Sequence, residues 1–282
     1  MILVGLSFLL ASTFAYCVIH IIKNLLLYKP NEGNQNEHDK FVSKIIKLTG
    51  QPEQRYQIRT PDHFMLDLIY VQNMKSDKCI IFCHGNSGNI TGKYRVIKFL
   101  YTHSNASIIA FDYRGYGRSS GTRWDLSCNA LRTDAMTVVN FVETSLLIPR
   151  HNISLVGQSL GCAVAIACAA QVKNIHSLIC ISPFYSLPSI ICDMFKQFNL
   201  GFLGWLVSLF VDSDYRSDRL IKSIRDTKIL IAHSKKDELI PYKQAEDLAY
   251  LSLFANFTTI AGPHKHPEFN EQFISILATT FS

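Results

Sequence analysis

The sequence L-V-G-Q-S-L-G-C-A-V-A, residues 155–165, places Ser159 between two glycines directly after an apolar run. A Gly-x-Ser-x-Gly string is short enough to arise by chance. The string alone therefore leaves two interpretations of Ser159 open, a catalytic nucleophile or a small residue in a tight turn. The choice between them depends on the secondary structure on either side of the serine.

A predicted strand precedes this serine and a predicted helix follows it. Residues 153–156 form a short apolar run, and residues 160–172 have the composition of a buried helix. In a sharp strand-to-helix turn the residues two positions before and after the serine must be small, and Gly157 and Gly161 meet that requirement. The turn would also aim the backbone N–H groups at the helix start toward an oxyanion near Ser159.

Short apolar runs alternate with amphipathic segments of helical period through most of the chain. Strands are predicted at residues 54–60, 64–73, 79–83, 107–112, 153–157, 177–182, 228–233 and 256–260. Helices are predicted around residues 91–103, 124–146, 160–173, 242–252 and 267–279. Apart from the first two strands, expected to pair antiparallel, this alternation predicts a mostly parallel sheet with helices on both faces. Ligands of such α/β folds bind beyond the carboxyl ends of the strands.

Composition limits the kind of protein that this sequence can encode. At 282 residues with 48% hydrophobic and 18% charged residues, the chain can bury one large α/β core. The net charge of +6 is spread along the chain without a cluster of Lys and Arg among aromatics, so we expect no nucleic-acid partner. The eight cysteines include no C-x-x-C pair and no metal-ligand spacing, so we expect buried free thiols, no bound metal and a reducing compartment.

The first 22 residues contain no Asp, Glu, Lys or Arg, and as a helix they would be about 33 Å long, enough to cross a bilayer. We interpret residues 1–28 as a membrane anchor. A cleaved signal peptide is the alternative, but no basic residue precedes the apolar run and no clear A-x-A site follows it. Five lysines between positions 23 and 47 predict a cytoplasmic catalytic domain by the positive-inside rule. Four Asn-x-Ser/Thr triplets point the other way, so the orientation stays open.

With the motif F-C-H-G-N-S-G-N (residues 82–89), the sequence resembles the α/β-hydrolase family over residues 54–280. The resemblance implies that the backbone N–H groups of Asn86 and Leu160 form the oxyanion hole. It assigns His84 and Gly85 to structural support of that loop. The glycine-dense stretch F-D-Y-R-G-Y-G-R-S-S-G (residues 111–121) is also typical of the family, and because no Gly-Lys-Ser/Thr follows it, nucleotide binding is rejected.

A serine hydrolase also needs a base and an acid, and both follow later strands. Asp237 lies in A-H-S-K-K-D-E-L-I-P-Y (residues 232–242), and His264 lies in I-A-G-P-H-K-H-P-E-F (residues 260–269). The chain order Ser159, Asp237, His264 is that of the α/β-hydrolase family.

Each of these two positions has a rival next to it. Glu238 competes with Asp237 as the acid. His266 competes with His264 as the base, although the family's glycine-x-histidine pattern matches positions 262–264, so we expect His266 to line the site or lie exposed. Asp237 is favoured over Glu238 because the Leu-Ile-Pro run at residues 239–241 is also similar to the family, although Ser234 stands where the family often has a glycine.

The predicted fold is therefore an α/β-hydrolase domain over residues 54–282 with a small helical cap at residues 184–226. A linker and lead-in, residues 29–53, would join it to the anchor; the polar run at residues 31–38 reads as linker. The predicted activity is cleavage of carboxylic ester or thioester bonds by a Ser-His-Asp triad without a cofactor. The apolar cap stretch at residues 198–210 is too short to span a membrane and could line an acyl pocket, dip into lipid or pack on the domain.

The loops around residues 84–86, 112–121 and 236–241 are similar to those of the membrane-associated Bem46-like branch, which includes protein depalmitoylases. The resemblance implies an acylated protein or lipid substrate at a membrane, with palmitoyl-protein thioesterase as the leading hypothesis. Depalmitoylases of that branch attach through a lipidated Cys-rich N-terminus, whereas only Cys17 lies in the apolar segment here. A lysophospholipase or monoacylglycerol lipase is the alternative activity. A catalytically silent homologue that binds lipid or a partner is the alternative of another class.

Overall fold

The computed structural model of this chain describes residues 27–209, 211, 215–225 and 227–281, together with the single residues Thr13, Ile21, Asn24 and Leu25. Its centre is an eight-stranded sheet with the strand order β10-β9-β8-β7-β4-β6-β3-β2, and β1 and β5 form a separate two-stranded ladder. The strands are β1 (Lys29–Pro30), β2 (Gln54–Arg59), β3 (Met65–Val71), β4 (Cys79–Cys83), β5 (Ser87–Gly88), β6 (Ser107–Phe111), β7 (Ile153–Gln158), β8 (Ser177–Ile181), β9 (Lys228–Ser234) and β10 (Ala255–Ile260).

Helices cover both faces of the large sheet. They are α1 (Gln35–Thr49), α2 (Tyr94–Ser104), α3 (Cys128–Thr144), α4 (Leu160–Val172), α5 (Leu187–Lys196), α6 (Gly201–Ser208), α7 (Ser217–Leu220), α8 (Tyr242–Tyr250) and α9 (Glu271–Phe281). Short 3-10 turns lie at Ile90–Lys93, Arg123–Asp125, Arg150–Asn152 and Ile221–Ser223. The predicted strands and helices are all present. Their boundaries differ by a few residues; the last helix was predicted to begin near residue 267 and begins at Glu271.

The sheet is parallel except for β3, which pairs antiparallel with both β2 and β6. In the parallel part, Gly157 lies opposite Cys83 of β4 and opposite Cys180 of β8. The carboxyl ends of these three central strands are therefore level, and Ser159 follows the middle one. The α/β-hydrolase fold predicted from the sequence is confirmed.

The hydrophobic core is divided by the sheet into two layers. Ile80 and Phe82 of β4 belong to the layer that contains α1, α2 and α9, whereas Cys79, Ile81 and Cys83 of the same strand belong to the layer that contains α3 and α4. Successive side chains of a strand point to opposite faces, so an uninterrupted apolar strand buries both. This explains why the central strands lack the apolar–polar alternation of a half-exposed sheet.

Residues 29–53, the predicted linker and lead-in, contain regular secondary structure that the sequence analysis did not predict. They contain β1 and the 15-residue helix α1, whose N-cap Asn34 accepts a hydrogen bond from the backbone N–H of Glu37 at 2.9 Å. Phe41 and Ile45 bury one side of this helix against the domain. The polar residues that suggested a linker are the capping turn of the helix, because helix N-termini favour polar side chains.

The predicted anchor, residues 1–28, lies almost entirely outside the described residues. In the part of the chain that the structure describes, no helix combines the length and apolar character that a bilayer crossing requires. The anchor therefore stays a prediction from the sequence.

Candidate active site

Ser159 occupies the turn between the last residue of β7 and the first residue of α4 with φ of 54° and ψ of −121°. A positive φ is unfavourable for a residue with a side chain, so the surrounding structure must hold it. The backbone N–H of Ser159 donates to the carbonyl of Ile181 at 2.9 Å, and its own carbonyl accepts from the N–H of Cys162 at 2.9 Å. The strained turn is thus held from β8 and from inside α4.

The two glycines beside Ser159 are required by close backbone contacts. A Cβ on Gly161 would overlap the Cys83 carbonyl oxygen and lie 2.6 Å from the His84 carbonyl oxygen. A Cβ on Gly157 would lie 2.5 Å from the Cα of Cys162. Neither glycine has a positive φ. Glycine is needed here for space, while the strained backbone conformation belongs to the serine itself.

His264 links Ser159 to Asp237 through opposite nitrogens of its ring. Its Nε2 lies 2.9 Å from Ser159 Oγ, and its Nδ1 lies 2.7 Å from Asp237 Oδ2. An ionised carboxylate only accepts hydrogen bonds, so it places the ring proton on Nδ1 and leaves Nε2 free to accept the serine proton. Three loops that follow β7, β9 and β10 bring these side chains together.

Asp237 is held in its ionised form by its surroundings. Burial alone would raise the pKa of Asp237, but hydrogen bonds and charge from His264 and two backbone donors outweigh it and lower that pKa. The donors are the N–H groups of Leu239 at 2.9 Å and Ile240 at 2.8 Å, both on Oδ1. The loop after β9 therefore presents a fully hydrogen-bonded carboxylate to the imidazole.

The two alternative residues, Glu238 and His266, make different contacts from Asp237 and His264. The Glu238 carboxylate accepts a hydrogen bond from the backbone N–H of His264 at 2.9 Å, and this bond lowers the pKa of Glu238. It holds the histidine loop, while Asp237 contacts the ring. His266 is exposed, which was one of the two positions expected for it.

The last two residues of β9 contact the site, although the sequence analysis gave them no role. His233 is buried, lies 2.9 Å from the Ile240 carbonyl through Nε2, and has the same nitrogen 3.4 Å from Asp237 Oδ2. Burial lowers the pKa of His233. The Ser234 hydroxyl donates to the Gly262 carbonyl at 2.6 Å, which connects the end of β9 to the loop that carries His264. The signal for Ser234 was its departure from the family's glycine.

The loop at residues 84–86 passes next to Ser159. A Cβ on Gly85 would lie 3.5 Å from Ser159 Cβ and 3.4 Å from the Gln158 carbonyl oxygen. Leu160 is the first residue of α4, where N–H groups have no partner within the helix. Among the described residues, neither the N–H of Asn86 nor that of Leu160 donates a hydrogen bond to the backbone. Their assignment as oxyanion donors stays a prediction from the sequence.

His84 supports this loop from inside the protein. It is fully buried, its Nδ1 lies 2.7 Å from the Gly85 carbonyl, and its own carbonyl accepts from the Tyr113 hydroxyl at 3.1 Å. Burial, aided by the charge of Lys93, lowers the pKa of His84 to about 3. A neutral ring 3.7 Å from Asp112 is a packing element and not a proton donor at neutral pH.

No bound metal was expected from the sequence. Across the described ranges, no three His, Cys, Asp or Glu side chains are grouped as metal ligands. The expectation of a cofactor-free site remains a prediction from the sequence and from the chemistry of the Ser-His-Asp arrangement.

A family model described as serine aminopeptidase, S33, of the hydrolases matches residues 74–254. This chain belongs to that family. An uncharacterized protein of Acanthamoeba polyphaga mimivirus is 42% identical over 278 residues, which cover 93% of this chain and 92% of that protein. The bem46 protein of Schizosaccharomyces pombe is 27% identical over 195 residues, or 68% of this chain and 62% of its own length.

Two further comparisons concern membrane association and architecture. An uncharacterized membrane protein of Saccharomyces cerevisiae is 27% identical over 236 residues, covering 82% of this chain and 77% of that protein. An esterase of Pyrococcus furiosus matches with a TM-score of 0.66 at 20% identity, over 90% of this chain and 96% of the esterase. At that identity the match concerns the fold. The chain is a hydrolase of the α/β-hydrolase fold, homologous to bem46.

Proposed function

We propose that this protein is a membrane-bound serine hydrolase that cleaves carboxylic ester or thioester bonds of long-chain acyl substrates. The hydrogen-bonded series from Ser159 Oγ through His264 to the Asp237 carboxylate carries the proposal. A serine on a strained turn with a base at 2.9 Å is arranged for nucleophilic attack.

The proposed reaction uses these groups in two steps. Ser159 attacks the acyl carbonyl while its proton passes to Nε2 of His264, and the leaving alcohol or thiol departs with that proton. Water then attacks the acyl-enzyme, gives its proton to His264, and Ser159 is regenerated. Asp237 keeps the Nδ1 proton in place and stabilises the imidazolium, while the N–H groups of Asn86 and Leu160 bind the oxyanion.

Support for a long-chain acyl substrate comes from the segment between β8 and β9. Helix α6 exposes large apolar side chains there, with Phe202 at 77% and Trp205 at 52% of their surface accessible. Exposed aromatic side chains on a helix that has no charged residue of its own suit a lipid surface. Similarity to a yeast protein described as a membrane protein supports the membrane location. We therefore place palmitoyl-protein thioesterase first and lysophospholipase second among the candidate activities.

Fluorophosphonate labelling of the purified full-length protein tests the proposal. We expect the wild type to be labelled and the Ser159→Ala variant to remain unlabelled with unchanged thermal unfolding, because Ser159 is the attacking group. Labelling that is absent from the wild type, or that persists in Ser159→Ala, contradicts the enzyme assignment.

Competition against the same label separates the two substrate classes. A palmitoyl-thioester peptide is expected to slow the labelling of Ser159 at lower concentration than a lysophospholipid of equal chain length. The reverse order would assign the protein to the lysophospholipases. Equal protection by a short-chain ester would reject the long-chain preference altogether.

Membrane attachment is tested separately. If residues 1–28 form a spanning anchor, the full-length protein stays with the pellet after a carbonate wash of membranes. Release of the protein into the supernatant contradicts the anchor and leaves the proposed chemistry at Ser159 unaffected.

A further inference from the structure

The segment that follows the predicted anchor is bonded to the loop beside Ser159. We call residues 28–31 the lead-in strand. The backbone N–H of Lys29 donates to the carbonyl of Asn86 at 2.9 Å, and β1 runs parallel to β5 with Lys29 opposite Ser87 and Pro30 opposite Gly88. The residue that is proposed to supply an oxyanion donor is therefore held by β1, the first strand among the described residues.

The lead-in strand is itself held from two other sides. Tyr28 is 1% exposed, and its hydroxyl lies 2.9 Å from the hydroxyl of Tyr215, a buried residue in the segment that follows α6. The carbonyl of Asn31 accepts from the N–H of Gly117 at 3.2 Å and from the side-chain amide of Asn89 at 3.2 Å. The strand thus joins the end of the cap and the glycine-dense loop to the loop beside Ser159.

The Asn86 carbonyl has a second donor, the hydroxyl of Tyr116 at 2.9 Å. Gly85 precedes Asn86 and has no side chain that could restrict the loop. The N–H and the carbonyl of one residue are joined through its Cα, so hydrogen bonds to the carbonyl limit the directions available to the N–H. The peptide plane of the Asn86 N–H is held on its other side by His84 at the Gly85 carbonyl, so the bonds from Lys29 and Tyr116 further restrict where the Asn86 N–H points.

We propose that the lead-in strand is a positioning element of the active site, with the Lys29 backbone N–H holding the Asn86 N–H in the direction that binds the oxyanion. This inference rests on the proposed function of Ser159 and Asn86. It means that the chain leaving the predicted anchor serves catalysis as well as attachment. Displacement of this strand would lower turnover without altering Ser159, His264 or Asp237.

A pair of substitutions at one position tests the proposal in the full-length protein. Lys29→Pro removes the backbone N–H, whereas Lys29→Ala keeps it and removes only the side chain. With a soluble p-nitrophenyl ester, Lys29→Pro is expected to lower kcat at least about tenfold with KM changed less than about threefold, since a misplaced oxyanion donor weakens only the transition state. Lys29→Ala is expected to stay within about twofold of the wild type in both.

Controls separate this proposal from the function on which it rests. If the wild type itself fails to label with fluorophosphonate at Ser159, the proposed function fails. If the wild type is labelled and Lys29→Pro unfolds cooperatively like the wild type but keeps its kcat, the role of the lead-in strand is overturned. Equal losses in Lys29→Pro and Lys29→Ala overturn it as well, because they would assign the effect to the side chain.

A measurement on the wild type avoids any dependence on the folding of Lys29→Pro. If the lead-in strand stabilises the oxyanion-binding loop, a ligand that orders this loop must also stabilise the lead-in strand. Formation of the phosphonate adduct on Ser159 is therefore expected to slow amide hydrogen exchange in the peptide that contains Lys29, with no change in peptides from α9. Unchanged exchange in the Lys29 peptide would refute the coupling.

Discussion

Helices α4 and α6 are alike in composition and opposite in environment. Neither contains Asp, Glu, Lys or Arg, and both consist mainly of apolar residues. Every residue of α4 from Leu160 to Ala169 is buried, whereas among the described positions of α6 only Gly204 and Ser208 are buried. The absence of charged residues therefore does not by itself predict that a helix is buried. Burial depends on which other elements pack against the helix.

The sizes of the side chains explain the difference. Helix α4 carries Gly, Ala and Cys at many positions, so its backbone approaches β4 closely enough that Gly161 faces the Cys83 carbonyl oxygen. Helix α6 packs on α5 through Gly204 and directs Phe202 and Trp205 outward. Small side chains allow a helix to pack closely in the core. Bulky apolar side chains on a surface helix expose area that a membrane or a partner can cover.

The largest expected effect is the difference in unfolding free energy between two matched glycine substitutions, one in each helix. In α4, Gly161→Ala is expected to destabilise the protein by about 3 kcal/mol or more, because the added methyl group would overlap backbone atoms that cannot move aside. In α6, Gly201→Ala meets only the Lys196 side chain at 3.5 Å and is expected to change stability by less than about 0.5 kcal/mol. Urea unfolding of both variants measures this. Equal stabilities would contradict the close approach of α4 to β4.

Removing a large side chain from each helix tests burial directly. Ile166→Ala in α4 leaves a cavity in the core and is expected to cost roughly 3 kcal/mol of unfolding free energy. Phe202→Ala in α6 removes a side chain that is 77% exposed and is expected to cost less than about 0.5 kcal/mol. A large loss in Phe202→Ala would show that another part of the chain covers α6.

The buried interior also contains titratable side chains, such as Asp112, whereas α6 has none. Burial raises the pKa of Asp112, in the loop after β6, to about 7. Between pH 5 and pH 7 the unfolded chain has already lost this proton and the folded protein keeps it, so stability contributed by Asp112 falls as the pH rises through about 7.

Asp112→Asn isolates this contribution, because the amide does not titrate. The stability of the wild type relative to Asp112→Asn is expected to fall by roughly 2 kcal/mol between pH 5 and pH 8. Urea unfolding of both proteins at the two pH values measures the change. A difference that stays constant with pH would show that Asp112 is ionised throughout.

The smallest expected effect concerns the use of α6 at a membrane. The double substitution Phe202→Ala and Trp205→Ala is expected to slow hydrolysis of an ester presented in phosphatidylcholine vesicles about threefold to fivefold, with hydrolysis of a soluble ester unchanged. Leu147→Ala is the matched control, since Leu147 is 80% exposed in a loop outside the cap. If the control slows vesicle hydrolysis as much, or the double variant slows both reactions equally, α6 is not a lipid contact.

Much of the fold could be predicted because its signals are local. A buried strand needs a short apolar run, and a helix packed on the sheet needs an amphipathic run. The alternation of these two patterns therefore identified the α/β architecture. The candidate residues Ser159, Asp237 and His264 were also found by position, because each follows a strand whose carboxyl end lies at the same edge. Helix α1 was missed because its capping turn has the composition of a linker.

Choices between neighbouring residues were made from the sequence only through the family resemblance, because local patterns do not show what each side chain contacts. Asp237 and Glu238 are both carboxylates, and only the backbone of their loop directs one to the His264 ring and the other to the His264 N–H. The lead-in strand was equally hidden, since its contact with Asn86 joins residues that are far apart in the chain. Short-range patterns contain no information about such pairings.

The sequence by itself determined that this chain builds a mostly parallel sheet and places a serine in the turn between a strand and a helix, because periodicity and the need for small residues in a tight bend are properties of neighbouring positions. Only the tertiary structure decided which carboxylate meets His264, that the chain after residue 27 holds the loop beside Ser159, and that α4 is buried while α6 is exposed. Those outcomes depend on the distances between separate elements, which arise when the sheet brings distant loops to one edge.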